Sequence, residues 1–169
     1  VELIKTRRLY ARWPKPAHFD RNLIVIGAGA AGLVSAYIAA VTRAKVTLIE
    51  RHKMGGDCLN YGCVPSKALI RTATFLQQVK SSASLGIAQA SVDYDFAEVM
   101  ARVQRIVKTV EPHDSVERYT QLGVEVLQGK ATITSPWSVE VNGRVLTTRA
   151  VVIATGAHPV VPKIPGLEA

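Results

Sequence analysis

The sequence predicts an α/β fold of three layers, a central parallel sheet with an antiparallel β-meander attached to it. Three observations predict it. A β-branched run, Leu23-Ile24-Val25-Ile26, leads straight into a glycine-punctuated turn, Gly27-Ala28-Gly29-Ala30-Ala31-Gly32, and a small-residue helix over about 30–41. A second apolar run, Lys45-Val46-Thr47-Leu48-Ile49, ends on Glu50. Farther on, residues 130–149 alternate in short pieces around two turn signals, Ser135-Pro136 and Asn142-Gly143. With 169 residues, 48% of them apolar and 20% charged, the chain can build one core and is not a disordered tail.

The stretch Leu23 to Thr42 carries no charge and could pass for a membrane span. Gly27, Gly29 and Gly32 interrupt it where a membrane helix needs continuity, so strand, tight turn and helix is the better reading. In that arrangement the first glycine permits a sharp turn and the second lets backbone amides approach a pyrophosphate. The third lets helix and strand pack closely, and the helix N-terminus faces the anion. Glu50 follows about twenty residues on, where an acid accepts hydrogen bonds from ribose hydroxyls. Together these residues form a Rossmann-like dinucleotide-binding unit, though they do not choose between FAD and NAD.

The run Gly55-Gly56-Asp57-Cys58-Leu59-Asn60-Tyr61-Gly62-Cys63-Val64-Pro65-Ser66-Lys67 sets the two cysteines of the chain five positions apart. A regular helix rises ~1.5 Å per residue, so their Cα atoms would be more than ~7 Å apart, beyond disulfide reach. The segment must distort for them to bond, and Asn60 and Gly62 tolerate unusual backbone angles. A strained, accessible pair is easily reduced, which suits a redox couple better than a structural staple. A closed zinc site needs four ligands and only His52 is near in sequence, so no metal site is expected. Two unrelated core thiols are the plainer alternative. Two cysteines do not make a secreted disulfide scaffold, and no signal-peptide pattern is present, so a reducing, cytoplasmic setting is expected.

With the GAGAAG turn, Glu50 and the later Ala154-Thr155-Gly156, this cysteine run resembles the class I pyridine nucleotide-disulfide oxidoreductases, the group of dihydrolipoamide dehydrogenase, mercuric reductase and glutathione reductase. The resemblance covers nearly the whole chain after residue 22, as the N-terminal, FAD-binding portion of such an enzyme. It implies electron flow from NAD(P)H through FAD to a Cys58–Cys63 disulfide, and on to a dithiol, disulfide or metal-ion substrate. Cys58 would be the interchange thiol and Cys63 the thiol beside the flavin, with Lys67 near the flavin ring, where a positive charge suits anionic reduced flavin and thiolate. Cofactor contacts would come from Gly27, Gly29, Ala30, Ala31, Gly32, Glu50, Arg51, Gly56 and Asp57, from Cys58, Cys63 and Lys67, and from Lys130, Ala131, Ala154, Thr155 and Gly156. Two positions depart from the family pattern. Asp57 stands where the family commonly has Thr, which sets a carboxylate near a pyrophosphate, and Tyr61 replaces a usual aliphatic residue near the disulfide.

The net charge of +8 invites a nucleic-acid reading, but half of it sits in residues 1–22, where six basic side chains (Lys5, Arg7, Arg8, Arg12, Lys15, Arg21) face Glu2 and Asp20. Residues 1–21 read as a solvated basic linker, with membrane contact expected only through it. No nucleic-acid partner is expected, since no basic helix interleaved with aromatics appears. Residues 22–158 read as the first segment of the FAD-binding domain, and 159–169 as the start of a connection toward an NAD(P)H domain. Within the domain, helices are expected over 66–80 and about 96–122, the second broken at Glu111-Pro112, with strands at 124–127 and 151–154. The absence of an initiator methionine and the turn-like Pro165-Gly166 read as the middle of a longer protein. The resemblance implies that a homodimer completes catalysis, so this portion by itself is not expected to turn over. A non-catalytic nucleotide-binding redox sensor is the alternative from another class.

Overall fold

The computed structural model describes residues 10–158 and 160–167. Lys5, Arg7 and Arg8 of the basic leader lie outside the described residues, as do Pro159, Glu168 and Ala169 of the expected connection. Among the described residues no helix is long and apolar enough to cross a membrane. The uncharged stretch after Leu23 divides instead into a strand, β1 (Arg21–Ile26), and a helix, α1 (Ala30–Val41).

Two more strands, β2 (Val46–Glu50) and β3 (Val124–Gln128), stack beside β1, all in parallel. The chain reaches β3 through a short helix α2 (Gly56–Asn60), long helices α3 (Cys63–Lys80) and α4 (Phe96–Val110), and a short α5 (Val116–Gln121). Three antiparallel strands follow: β4 (Ala131–Ser135), β5 (Ser138–Val141) and β6 (Arg144–Ile153), giving the sheet order β3-β2-β1-β6-β5-β4. The last piece of the meander and the final buried strand, expected as separate pieces, are one strand, β6. β6 pairs antiparallel with β5 over its first residues and parallel with β1 from Thr148 to Ile153. The β5–β6 turn needs two positive φ angles, and Asn142 (φ 52°) and Gly143 (φ 74°) supply them.

Side-chain alternation explains the three layers. On one face of the parallel strands, Val25, Val46, Leu48 and Val124 bury against Leu33 and Ala36 of α1 and Tyr119 of α5. On the other, Ile24 and Ile49 bury against Val139, Val141 and Leu146 of the meander. Covered on both sides, the central strands are continuous apolar runs and not alternating ones. The expected break at Glu111-Pro112 is a 3₁₀ turn over Glu111–Asp114, after which Ser115 restarts the helix by accepting the Arg118 amide at 3.1 Å.

Two boundaries differ from expectation. α3 starts at Cys63, not Ser66, with Pro65 in its first turn, where its missing N–H has no partner to lose. Arg21, counted with the solvated leader, is the first residue of β1 and only 8% exposed. Its guanidinium donates to Thr47 Oγ1 at 2.6 Å and to Glu125 Oε2 at 2.5 Å. Asp20 is fastened as well: its carboxylate accepts from the amide and hydroxyl of Thr147 at 2.9 and 2.8 Å, which hold its pKa below the ordinary range. Residues earlier in the leader also dock, since Tyr10 and Phe19 pack on Trp137 and the Lys15 ammonium lies 5.2 Å from its ring.

Candidate functional site

A groove of about 490 Å³ opens at the carboxyl ends of the parallel strands. Chain direction makes it there: from β1, connections run to β2 on one side and β6 lies on the other, so the loops after them part and leave a crevice. Gly27 follows β1 with φ 103°, and a Cβ on it would collide with the Ala154 carbonyl. A Cβ on Gly32 would likewise collide with the Gly27 carbonyl, so these two glycines are required by close packing within the protein. Gly29 is different. A Cβ there meets only the Gly56 Cα, at 3.9 Å, and the space beyond it is open.

The groove gathers Gly27, Gly29, Glu50, Arg51, Gly56 and Asp57 with Lys130, Ala131, Ala154, Thr155 and Gly156. Ala30 and Ala31 sit exposed in the first turn of α1 without lining it, and Gly32 is buried beneath it. Glu50 is aimed by two backbone donors: the Ala28 amide at 2.6 Å and the His52 amide at 2.7 Å, one to each oxygen. A carboxylate has about four acceptor positions, so it retains capacity for ligand hydroxyls. Sequence reasoning missed His52, Lys53 and His158 as lining residues. For the first two the signal was available, since they directly follow the acid that ends β2.

The cysteine segment is joined to this groove by backbone contact. Gly55 donates its amide to the Ala28 carbonyl at 2.9 Å, and a Cβ on Gly56 (φ 53°) would lie 2.6 Å from the Gly29 Cα. Two residues later, α2 carries Cys58, half-buried, and α3 opens with Cys63, exposed. The expected distortion lies between them: Gly62 leaves helical geometry (φ −119°, ψ −102°) while both Tyr61 and Gly62 donate to the Asp57 carbonyl. Asn60 contributes differently from expectation. It stays helical, and its side-chain amide donates to the Met54 and Gly56 carbonyls at 3.0 and 2.8 Å, tying the segment together.

Both cysteines are free thiols. The neighbouring Cys63 thiol pushes the Cys58 thiol above its ordinary pKa, and burial and the Asp114 charge push it the same way. They stand on either side of the distortion at Gly62, Cys58 in α2 and Cys63 at the start of α3. Lys67 is exposed on α3 one turn beyond Cys63, on the same side of that helix. Cys58, Cys63 and Lys67 are not among the residues that line the groove.

Residues 21–169 match the pyridine nucleotide-disulphide oxidoreductase family. Mercuric reductase of Bacillus cereus is 34% identical over 89% of this chain and 24% of its own length. Dihydrolipoyl dehydrogenase of Acholeplasma laidlawii is 37% identical over 88% of the chain and 44% of its own, and glutathione reductase of Burkholderia cepacia is 34% identical over 88% and 33%. The chain thus spans less than half the length of these curated relatives. Among solved structures, the HOCl-induced flavoprotein disulfide reductase RclA from Escherichia coli superposes with a TM-score of 0.69 at 28% identity, over 88% of this chain and 31% of that one. A glycine-lined groove joined by backbone contact to the segment that carries both cysteines, on a Rossmann-type sheet, agrees with that match, and the chain belongs to the pyridine nucleotide-disulphide oxidoreductase family.

Proposed function

We propose that this chain is the FAD-binding and redox-cysteine region of a flavin-dependent disulfide oxidoreductase. The contact that carries the reading is Gly29 against Gly56, because it ties the nucleotide turn to the segment that bears both cysteines. The fit to FAD rests on the same place: the open space beyond Gly29 and a groove whose size falls within the range of small-ligand sites.

In this reading Gly27, Gly29 and the first turn of α1, with Ala30 and Ala31, hold the diphosphate, and Gly32 keeps α1 close enough to β1 to do so. Glu50 accepts the ribose hydroxyls, Arg51, Lys130 and Ala131 border the adenosine end, and Ala154, Thr155 and Gly156 close the opposite wall. Bound FAD supplies two-electron transfer between a reduced nicotinamide, NADH or NADPH, and the cysteine pair. Cys63 would be the thiol beside the flavin, and Lys67 would place a positive charge near the flavin ring. With a dithiol or disulfide substrate, Cys58 exchanges through a mixed disulfide that Cys63 resolves, releasing the substrate thiol; with a metal-ion substrate, Cys58 binds it as a thiolate ligand. The whole protein works as a homodimer.

The test is the visible absorption spectrum of the protein loaded with FAD, before and after limited reduction by a dithiol. A long-wavelength band that appears on reduction and is lost in Cys63→Ser is the expected result. Bound flavin with no such band removes the cysteines from electron transfer and overturns the reading.

A further inference from the structure

We propose that Asp57 sets the affinity of the nucleotide groove by placing an unpaired carboxylate against the diphosphate of the bound cofactor. The inference rests on the FAD reading above and adds a residue that works against binding.

The two acids of the groove are in opposite circumstances. Both Glu50 oxygens already accept backbone amides, which spread its charge and direct its remaining lone pairs. Asp57 is exposed and lines the same groove as Gly29, Gly56 and Lys130. Among the described residues its carboxylate takes part in no ion pair, the two that exist being Arg21 and Arg144 with Glu125.

The backbone gives Asp57 little freedom to leave. On its N-terminal side Gly56 is wedged against Gly29, where even a methyl group would not fit. Its own carbonyl accepts the amides of Tyr61 and Gly62 at 2.9 and 2.6 Å. The backbone of the residue is pinned between the nucleotide turn and the cysteine break, which keeps Asp57 in the wall of the groove.

Its effect follows from the remaining lining charges. Arg51, Lys53 and Lys130 attract an anionic diphosphate, and Asp57 opposes them. At this range in a water-filled groove one opposing unit charge changes anion affinity by about tenfold. The effect fades as added salt shortens the screening distance from about 10 Å at 0.1 M to about 3 Å at 1 M.

The experiment compares the protein with its Asp57→Asn variant, which keeps size and hydrogen-bonding shape at an exposed position and so preserves the fold. FAD affinity is read by flavin fluorescence at low salt and near 1 M salt, and ADP and adenosine are then titrated as competitors. The expected result is that Asp57→Asn binds FAD and ADP about tenfold more tightly at low salt, that the gap closes to under about twofold at 1 M, and that neutral adenosine binds both proteins alike. Equal or weaker FAD binding by Asp57→Asn at low salt overturns the proposal while leaving the FAD reading intact. A gain that extends equally to adenosine overturns it too, because shape and not charge is then responsible. If neither protein binds FAD or ADP, the nucleotide reading itself fails and the proposal fails with it.

Discussion

At the amino ends of the parallel strands, polar side chains answer one another, whereas at the carboxyl ends they are answered by backbone or by nothing. Arg21, Thr47 and Glu125 form a closed set at the amino ends: the guanidinium donates to both partners, and Thr47 donates its hydroxyl to Glu125 at 2.6 Å. Arg21 is 8% exposed and Thr47 fully buried, while Glu125 reaches the surface and also pairs with Arg144, so the set joins the core to the rim of the sheet. At the carboxyl ends, close approach is achieved by glycines, Glu50 is held by amides, and Asp57 has no ion-pair partner among the described residues. The difference teaches how one sheet separates stability from binding. A closed polar set leaves no capacity for a ligand, and an open one draws its precision from backbone geometry while leaving side-chain acceptors free.

Substitutions at the two ends should separate along the same line. The largest effect is expected for Gly32→Ala, whose methyl group would enter the Gly27 carbonyl. Overpacking against backbone costs about 3 kcal/mol, which lowers the melting temperature by roughly 6–12 °C in a domain of this size. A fall of less than about 3 °C in calorimetry would show that the turn relaxes freely.

Next comes Arg21→Met, which strips Glu125 and Thr47 of their shared donor. Because the Glu125 side chain is 34% exposed, the expected cost at pH 7 is discounted to about 2 kcal/mol. The pH dependence has a definite sign. Burial pushes the Glu125 carboxyl up, but hydrogen bonds from Thr47 and Arg21 and the nearby guanidinium charges outweigh it and hold the pKa below its ordinary 4.5. A carboxyl depressed in the folded state stabilises above its unfolded pKa and loses that contribution as pH falls through the folded one. The stability gap between the protein and Arg21→Met should therefore be full above pH 5 and narrow in the acid range below about 4.5. A gap constant down to pH 3 in denaturant titrations would show that Arg21 acts by packing alone.

Gly29→Ala should do the reverse of Gly32→Ala. Its methyl group has room, so stability changes by less than about 1 kcal/mol, while FAD affinity falls at least tenfold because the added carbon occupies the diphosphate approach. Parallel melting and FAD titration of the two alanine variants would break the comparison if both lost stability equally. The smallest effect concerns the thiols. Cys63→Ala removes the neighbouring thiol that raises Cys58, so alkylation of Cys58 at pH 8 should speed up. An unchanged rate would assign the raised pKa to burial and Asp114.

The residues that were legible share one property. The glycines at 27, 29 and 32, Glu50 at the end of β2, and the Asn142-Gly143 turn each express a backbone requirement within a few neighbours, and each stands where that requirement places it. The distortion between Cys58 and Cys63 was readable for the same reason, since five positions of regular helix do not bring two side chains together. Arg21 was not readable. Next to Arg12 and Lys15 it looks like one more solvated charge, and its partner Glu125 is 104 positions away. Asn60 was misjudged in a similar way, as a flexible residue and not as a donor to two carbonyls.

By itself the sequence determined the strand-turn-helix unit, the acid that follows it, the broken helical path between the cysteines and the family these motifs belong to. Only the tertiary structure decided that β6 changes partner at Thr148, that Arg21 closes the amino end of the sheet, and that Gly56 rests on Gly29. The first set depends on torsion angles and hydrogen bonds inside short segments, which residue type constrains directly. The second depends on the register between segments far apart in the chain, which many sequences with the same apolar pattern could satisfy and which the packing of the whole core selects.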